Sequence, residues 1–144
     1  MRIPCDDIIG EAFRRGATVI LTINFKSYNP DEIGYEISKK LSAKLKFEID
    51  YIGRTPGSPK LIELKAYPMS FYNYMRLIYV VGKIVRSDER IKEINITVEI
   101  PENIMESLCE KYETTPENIM DCFSIKETIS DDIVYLLKIE EMGH

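Results

Sequence analysis

A chain of 144 residues, 44% hydrophobic and 30% charged, has the composition of an ordinary globular protein and the length of one domain. Its net charge of −5 conceals an asymmetry, because residues 1–92 hold 16 Lys+Arg against 11 Asp+Glu while residues 93–144 hold 3 against 13. "MRIPCDDIIGEAFRRG" sets acids and arginines where a secretory leader needs an apolar run, and "ATVILTINF" is too short to span a bilayer, so a cytoplasmic protein without a membrane partner is expected.

Residues 1–16 are taken as an N-terminal segment ahead of the core. In "ATVILTINF", Val19, Leu21, Ile23 and Phe25 alternate with Thr18, Thr22 and Asn24, the period of a strand with one buried face. Ile33, Ile37, Leu41 and Leu45 then recur every four residues, which draws one apolar stripe along a helix. "KFEIDYIG" and "KLIELKAYP" alternate again on either side of "RTPGSP", a β-hairpin with a basic, proline-stiffened tip. Ser70 is a good cap for the helix that follows, "SFYNYMRLIYVVGKIVRSDERI". "KEINITVEI" is the cleanest strand pattern in the chain, with Ile94, Ile96, Val98 and Ile100 on one side.

The pentapeptide PENIM occurs at Pro101 and again at Pro116. Proline suits the first helical position because its missing N–H costs nothing there, and an acid beside it meets the positive end of the helix dipole. Pro30-Asp31-Glu32-Ile33 follows the same grammar, so the repeat is helix punctuation rather than a duplicated functional unit. Asn29 and Thr115 are suitable caps for their helices, and Ile100 is not. The tail alternates at Phe123, Ile125 and Ile129, then at Ile133, Tyr135, Leu137 and Ile139, around a turn-like "SDD". A hairpin is expected, with a helix over residues 130–141 as the alternative.

The resulting order, β-α-β-β-α-β followed by α-β-β, gives an α+β fold with a ferredoxin-like core over residues 17–100 and an acidic extension over 101–144, in one domain. The helix beginning at Phe71 is apolar around most of its circumference, leaving only Asn73, Arg76 and Lys83 as a polar strip. Something besides a sheet must cover it. The C-terminal segment or a second subunit would do so, and a homodimer is the expectation.

Catalytic residues are hard to find. His144 is the only histidine, which removes Ser-His-Asp and Cys-His arrangements, and no phosphate-cradling glycine motif is present. Three cysteines at unrelated spacings make no disulfide framework, which favours a reducing compartment. Cys109 and Cys122 sit beside apolar neighbours as small core residues, and Cys5 lacks the partners of a zinc site. Glu48, Asp50 and Glu63 are the one place to look for a Mg²⁺-dependent activity, the third-ranked function. No cofactor, metal or catalytic residue is assigned.

Basic residues are more numerous. Arg14, Arg15, Lys39, Lys40, Lys44, Lys46, Arg54 and Lys60 are the candidate phosphate-binding set, on a helix and at the hairpin tip. The open strand face offers Glu48, Asp50, Glu63, Lys65, Asn95, Thr97 and Glu99 instead of aromatic side chains, so base stacking on the sheet is not expected. A non-enzymatic factor that binds RNA or DNA is the first expectation. A module docking on a protein partner through its acidic C-terminal third is the second.

Overall fold

The computed structural model describes residues 3–26, 30–55, 58–123 and 135–142. Along β1 (Thr18–Phe25), the four apolar residues of the alternating set are buried, and the residues between them are half-buried. β4 (Ile91–Pro101) repeats this pattern through Ile94, Ile96, Val98 and Ile100. β2 (Ile49–Thr55) and β3 (Ser58–Ala66) form the expected hairpin. These four strands lie in the order β2-β3-β1-β4, and every neighbouring pair is antiparallel. β5 (Tyr135–Met142) then adds to the outer side of β4 in parallel.

The order follows from two interleaved crossovers. α2 (Pro30–Leu45) carries the chain from β1 to β2 and leaves a gap that β3 fills. α3 (Phe71–Ser87) carries it from β3 to β4 and leaves a gap that β1 fills. The fold class is α+β, with both crossover helices on the same apolar side of the sheet. Ser70 caps α3 as its sequence requires, its Oγ accepting from the Asn73 backbone N–H at 3.1 Å. Thr115 does the same for Asn118 at 3.3 Å, at the start of α5 (Pro116–Phe123). Pro101 closes β4 and stands as the N-cap of α4 (Glu102–Lys111) without a side-chain bond. Asn29 lies outside the described residues.

Gly34 marks where α2 comes closest to the sheet. A Cβ at this position would stand 2.8 Å from Ile62 Cγ2 and 3.2 Å from Tyr51 Cε2, and Ile62 is fully buried. In an exposed helix interior, Gly→Ala gains about 1 kcal/mol. Gly34→Ala is expected to have the opposite sign, because the overlap must be relieved by lifting the helix or displacing a core isoleucine. A urea midpoint below that of the parent protein is the expected result, and a raised midpoint would show that α2 sits farther from β3.

The two ends of the chain need separate comment. Within the N-terminal segment 1–16, α1 (Cys5–Arg14), an element that the periodicity did not show, buries Ile8, Ile9, Ala12 and Phe13 against α3, α4 and α5. The extension after β4 runs helix, helix, strand over its described residues, rather than α-β-β. Phe123 is the buried last residue of α5, so it opens no strand, and the remainder of the expected first hairpin arm lies outside the described residues. Of the segment 130–141, expected as a hairpin arm with a helix as the alternative, the described residues are strand, as the first expectation has it.

The apolar circumference of α3 now has its explanation. Tyr74, Leu77, Ile78, Val80, Val81 and Ile84 are buried by the sheet, by α2 and by α1. Tyr74 lies 5.1 Å from Phe13 and 5.8 Å from Phe123, ring centre to ring centre, and its hydroxyl donates to the Phe123 carbonyl at 2.9 Å. α1 and α5 therefore supply the cover for which a second subunit was invoked.

Candidate nucleic-acid interface

α2 and α3 lie side by side, and each buries one face while turning the other outward. On α2 the buried stripe is Ile33, Ile37, Leu41 and Leu45, so Tyr35, Lys39, Lys40 and Lys44 are exposed. Lys46 follows the last helical residue with φ of 59°, a left-handed turn that ends the helix while its N–H still reaches the Ser42 carbonyl at 3.0 Å. On α3 the outward stripe is Tyr72, Met75, Tyr79 and Lys83. Arg76 spans the two helices, its guanidinium donating to the Lys44 carbonyl at 3.0 Å.

A groove between them is lined by Ile37, Lys40, Lys44, Ile84, Ser87, Asp88, Glu89 and Arg90. Arg90 is the hub of its ion pairs. It bonds Asp88 at 2.7 Å and Glu36 at 3.2 Å, and Lys40 stands 3.4 Å from the same Glu36. These hydrogen bonds from Arg90 hold the Asp88 and Glu36 carboxyls below the usual carboxylate range, and they raise the guanidinium in turn. Two acids beside the groove are thus taken up by one arginine.

The sign of the pH dependence follows. A carboxyl depressed in the folded state stabilises the fold above its unfolded pKa of about 4, and that stability is lost as pH falls through the folded value. Glu11, lowered chiefly by a hydrogen bond from Lys111 at 2.6 Å, acts in the same direction. Denaturant unfolding is expected to show falling stability below about pH 4. Arg90→Gln should flatten that fall, and an Arg90→Gln protein with unchanged acid sensitivity would contradict this reading of the cluster.

The sequence-selected cations separate into three groups. Lys39, Lys40, Lys44 and Lys46 share the second half of α2 and its end. Arg54 is at the opposite end of that helix, where a bulge at Gly53 (φ 115°) re-aims the edge strand and the guanidinium pairs with Asp31 at 2.7 Å. Tyr51 donates to the same Asp31 at 2.9 Å. Arg14 and Arg15 end α1, where Arg14 folds back over Gly10 near the start of α3 and Arg15 is held by Glu11 at 3.3 Å and Ser107 at 2.9 Å. The Lys60 side chain lies outside the described residues.

The described elements of the acidic third do not lie over the α2 lysines. α2 packs on β2 and β3, whereas α4 and α5 pack on α1, and β5 occupies the sheet edge opposite β2. The ion pair joining the two parts, Lys111 to Glu11, runs opposite to the overall charge match. Glu106, Glu110, Glu113, Glu117 and Asp121 are exposed on α4, α5 and the turn between them, so the described residues carry a basic and an acidic surface in separate places.

Sequence reasoning passed over the tyrosines. Tyr35 and Lys39, Tyr72 and Arg76, and Tyr79 and Lys83 are each four residues apart, the spacing that brings side chains together on a helix. In all three pairs the cation lies over the ring, at 4.6, 5.9 and 4.8 Å from its centre. That spacing was the available signal.

Two chemical expectations change. Cys5 and Cys122 form a disulfide with Cα atoms 5.1 Å apart, so the cysteines do make a cross-link and Cys5 has no thiolate for a metal. The expectation of a reducing compartment loses the support it drew from cysteine spacing. Asp50 pairs across the hairpin with Lys65, and Glu63 with Gly53, which parts the carboxylates of the suggested Mg²⁺ position. No group of three or more metal-ligating side chains occurs among the described residues, and no helix among them is long and apolar enough to cross a membrane.

Comparison with known proteins returned no match to a family model, a curated protein or a solved structure.

Proposed function

We propose that this chain is a non-enzymatic nucleic-acid-binding or accessory factor whose contact surface is the outward side of α2 and α3. One observation carries the proposal. Lys39, Lys40, Lys44, Lys46, Arg76 and Lys83 lie along two neighbouring helices, and between Gly34 and Lys46 and along α3 the only acid is Glu36. Phosphate contacts supply most non-specific affinity for nucleic acid. The acids beside this surface are few: Glu36, which pairs with Lys40, and Asp88 and Glu89 in the groove, of which Glu36 and Asp88 are engaged by Arg90. The hairpin tip contributes less than its sequence suggested, because Arg54 is engaged by Asp31. We read the core as ferredoxin-like, supported by the order β2-β3-β1-β4 with antiparallel neighbours.

The test is charge reversal. Lys40→Glu with Lys44→Glu is expected to weaken oligonucleotide binding at low salt by about tenfold or more. Arg15→Glu, on the α1 side, should leave it unchanged. Equal losses from both variants would mean a diffuse charge effect with no defined surface.

A second reading is favoured by the exposed acids of α4 and α5, which fit a basic protein partner. It predicts a stoichiometric complex that survives Lys40→Glu/Lys44→Glu and is lost when Glu106, Glu110 and Glu117 become lysine.

A further inference from the structure

We infer that the α2–α3 surface takes single-stranded nucleic acid in particular, with bases stacking on Tyr35, Tyr72 and Tyr79; this rests on the nucleic-acid reading above. The three rings are 52%, 66% and 62% exposed, and among the described residues no other aromatic side chain is exposed to that degree. All three stand on the outward faces of the two basic helices, each with a cation over it. Met75, also exposed, lies between Tyr72 and Tyr79 on the α3 stripe. An exposed apolar stripe of this kind marks an interaction surface.

Charge selects the occupant. A second copy docking through the same face by two-fold symmetry would bring this cation set against itself, with only Glu36, Asp88 and Glu89 beside it to offset six cations. A polyanion with flat apolar groups satisfies both features at once. Its phosphates meet the lysines and its bases meet the tyrosines, as in other single-strand sites that combine a positive groove with aromatic platforms.

Geometry selects the single strand. Tyr72 and Tyr79 are seven residues apart, about 10 Å along the helix axis. Bases within a duplex are stacked roughly 3.4 Å apart with their faces covered. Only an unpaired strand can splay its bases to reach separated rings. The centre of the open sheet face, held by Ile20, Thr22, Glu63, Lys65, Asn95 and Thr97, offers no aromatic ring for this mode.

The chain contains 9 tyrosines and no tryptophan, so quenching of intrinsic tyrosine fluorescence reports stacking directly. The probes are oligo(dT) of about 16 nucleotides, the upper end of a single-strand site, and a blunt duplex of equal length. Tyr35→Ala, Tyr72→Ala and Tyr79→Ala are each expected to lower oligo(dT) affinity by roughly fivefold to a hundredfold. Duplex affinity should stay unchanged, and Tyr→Phe at each position should retain single-strand binding. Equal affinity for both probes, unaffected by the tyrosine variants but lowered by Lys40→Glu/Lys44→Glu, would overturn stacking and leave the phosphate reading standing. Binding to neither probe, or only to anionic phospholipid vesicles, would overturn both.

Discussion

Reducing the Cys5–Cys122 disulfide is expected to remove about 4–5 kcal/mol of unfolding free energy, the chain-entropy value for a closed loop of this size. The bond joins residues 117 apart in sequence, so its loss returns most of the chain's loop entropy to the unfolded state. For a protein of this length, that is a fall in melting temperature of roughly 10–15 °C. Denaturant unfolding with and without dithiothreitol measures it. Cys5→Ser/Cys122→Ser should reproduce the reduced protein and be indifferent to reductant. Cys109→Ser should keep the full difference between the oxidised and reduced states. Identical midpoints with and without reductant would mean that the two sulfurs are not joined in solution.

Phe13→Ala is expected to destabilise the protein by about 3–5 kcal/mol, the cost of removing a fully buried aromatic ring from a packed core. Phe13 is 1% exposed and lies 5.1 Å from Tyr74 and 5.6 Å from Phe123, the latter edge to face. Its ring joins α1 to α3 and α5, so the loss reaches three helices. The prediction is sharp because Phe13 belongs to the segment that the chain's periodicity left outside the core. A cost below about 1 kcal/mol, the usual range for a surface change, would mean that α1 does not dock here. The disulfide and the Phe13–Phe123 contact both fasten α1 to α5, so their losses should not add when combined.

The elements that were legible in the sequence are those whose burial is one-sided and local. β1 and β4 alternate because helices cover only one face of the sheet, and α2 repeats every four residues for the same reason. α1 escaped because Ile8, Ile9, Ala12 and Phe13 form a narrow stripe in a short, charged segment. α5 was half legible: Pro116 and Thr115 announce a helix start, while Phe123 with Ile125 imitates a strand. The disulfide leaves no local trace, since pairing across 117 residues depends on where α1 and α5 meet.

The candidate surface divides in the same way. The lysines of α2 were visible as a basic run. That Arg76 and Lys83 join them depends on α2 and α3 being neighbours, which is a tertiary fact. The three tyrosine–cation pairs were printed in the sequence at a constant spacing of four, and the buried Tyr74 between two of them has Ile78 at that spacing instead of a cation.

Salt titration of oligo(dT) binding tests most directly whether the cations of α2 and α3 hold phosphates. The logarithm of affinity is expected to fall linearly with the logarithm of salt concentration. The slope should approach about −4 if all six cations engage, at roughly −0.7 per contact with a single strand, and shrink in Lys40→Glu/Lys44→Glu. No binding at low salt, or a slope near zero that the charge reversal leaves unchanged, would contradict the proposal.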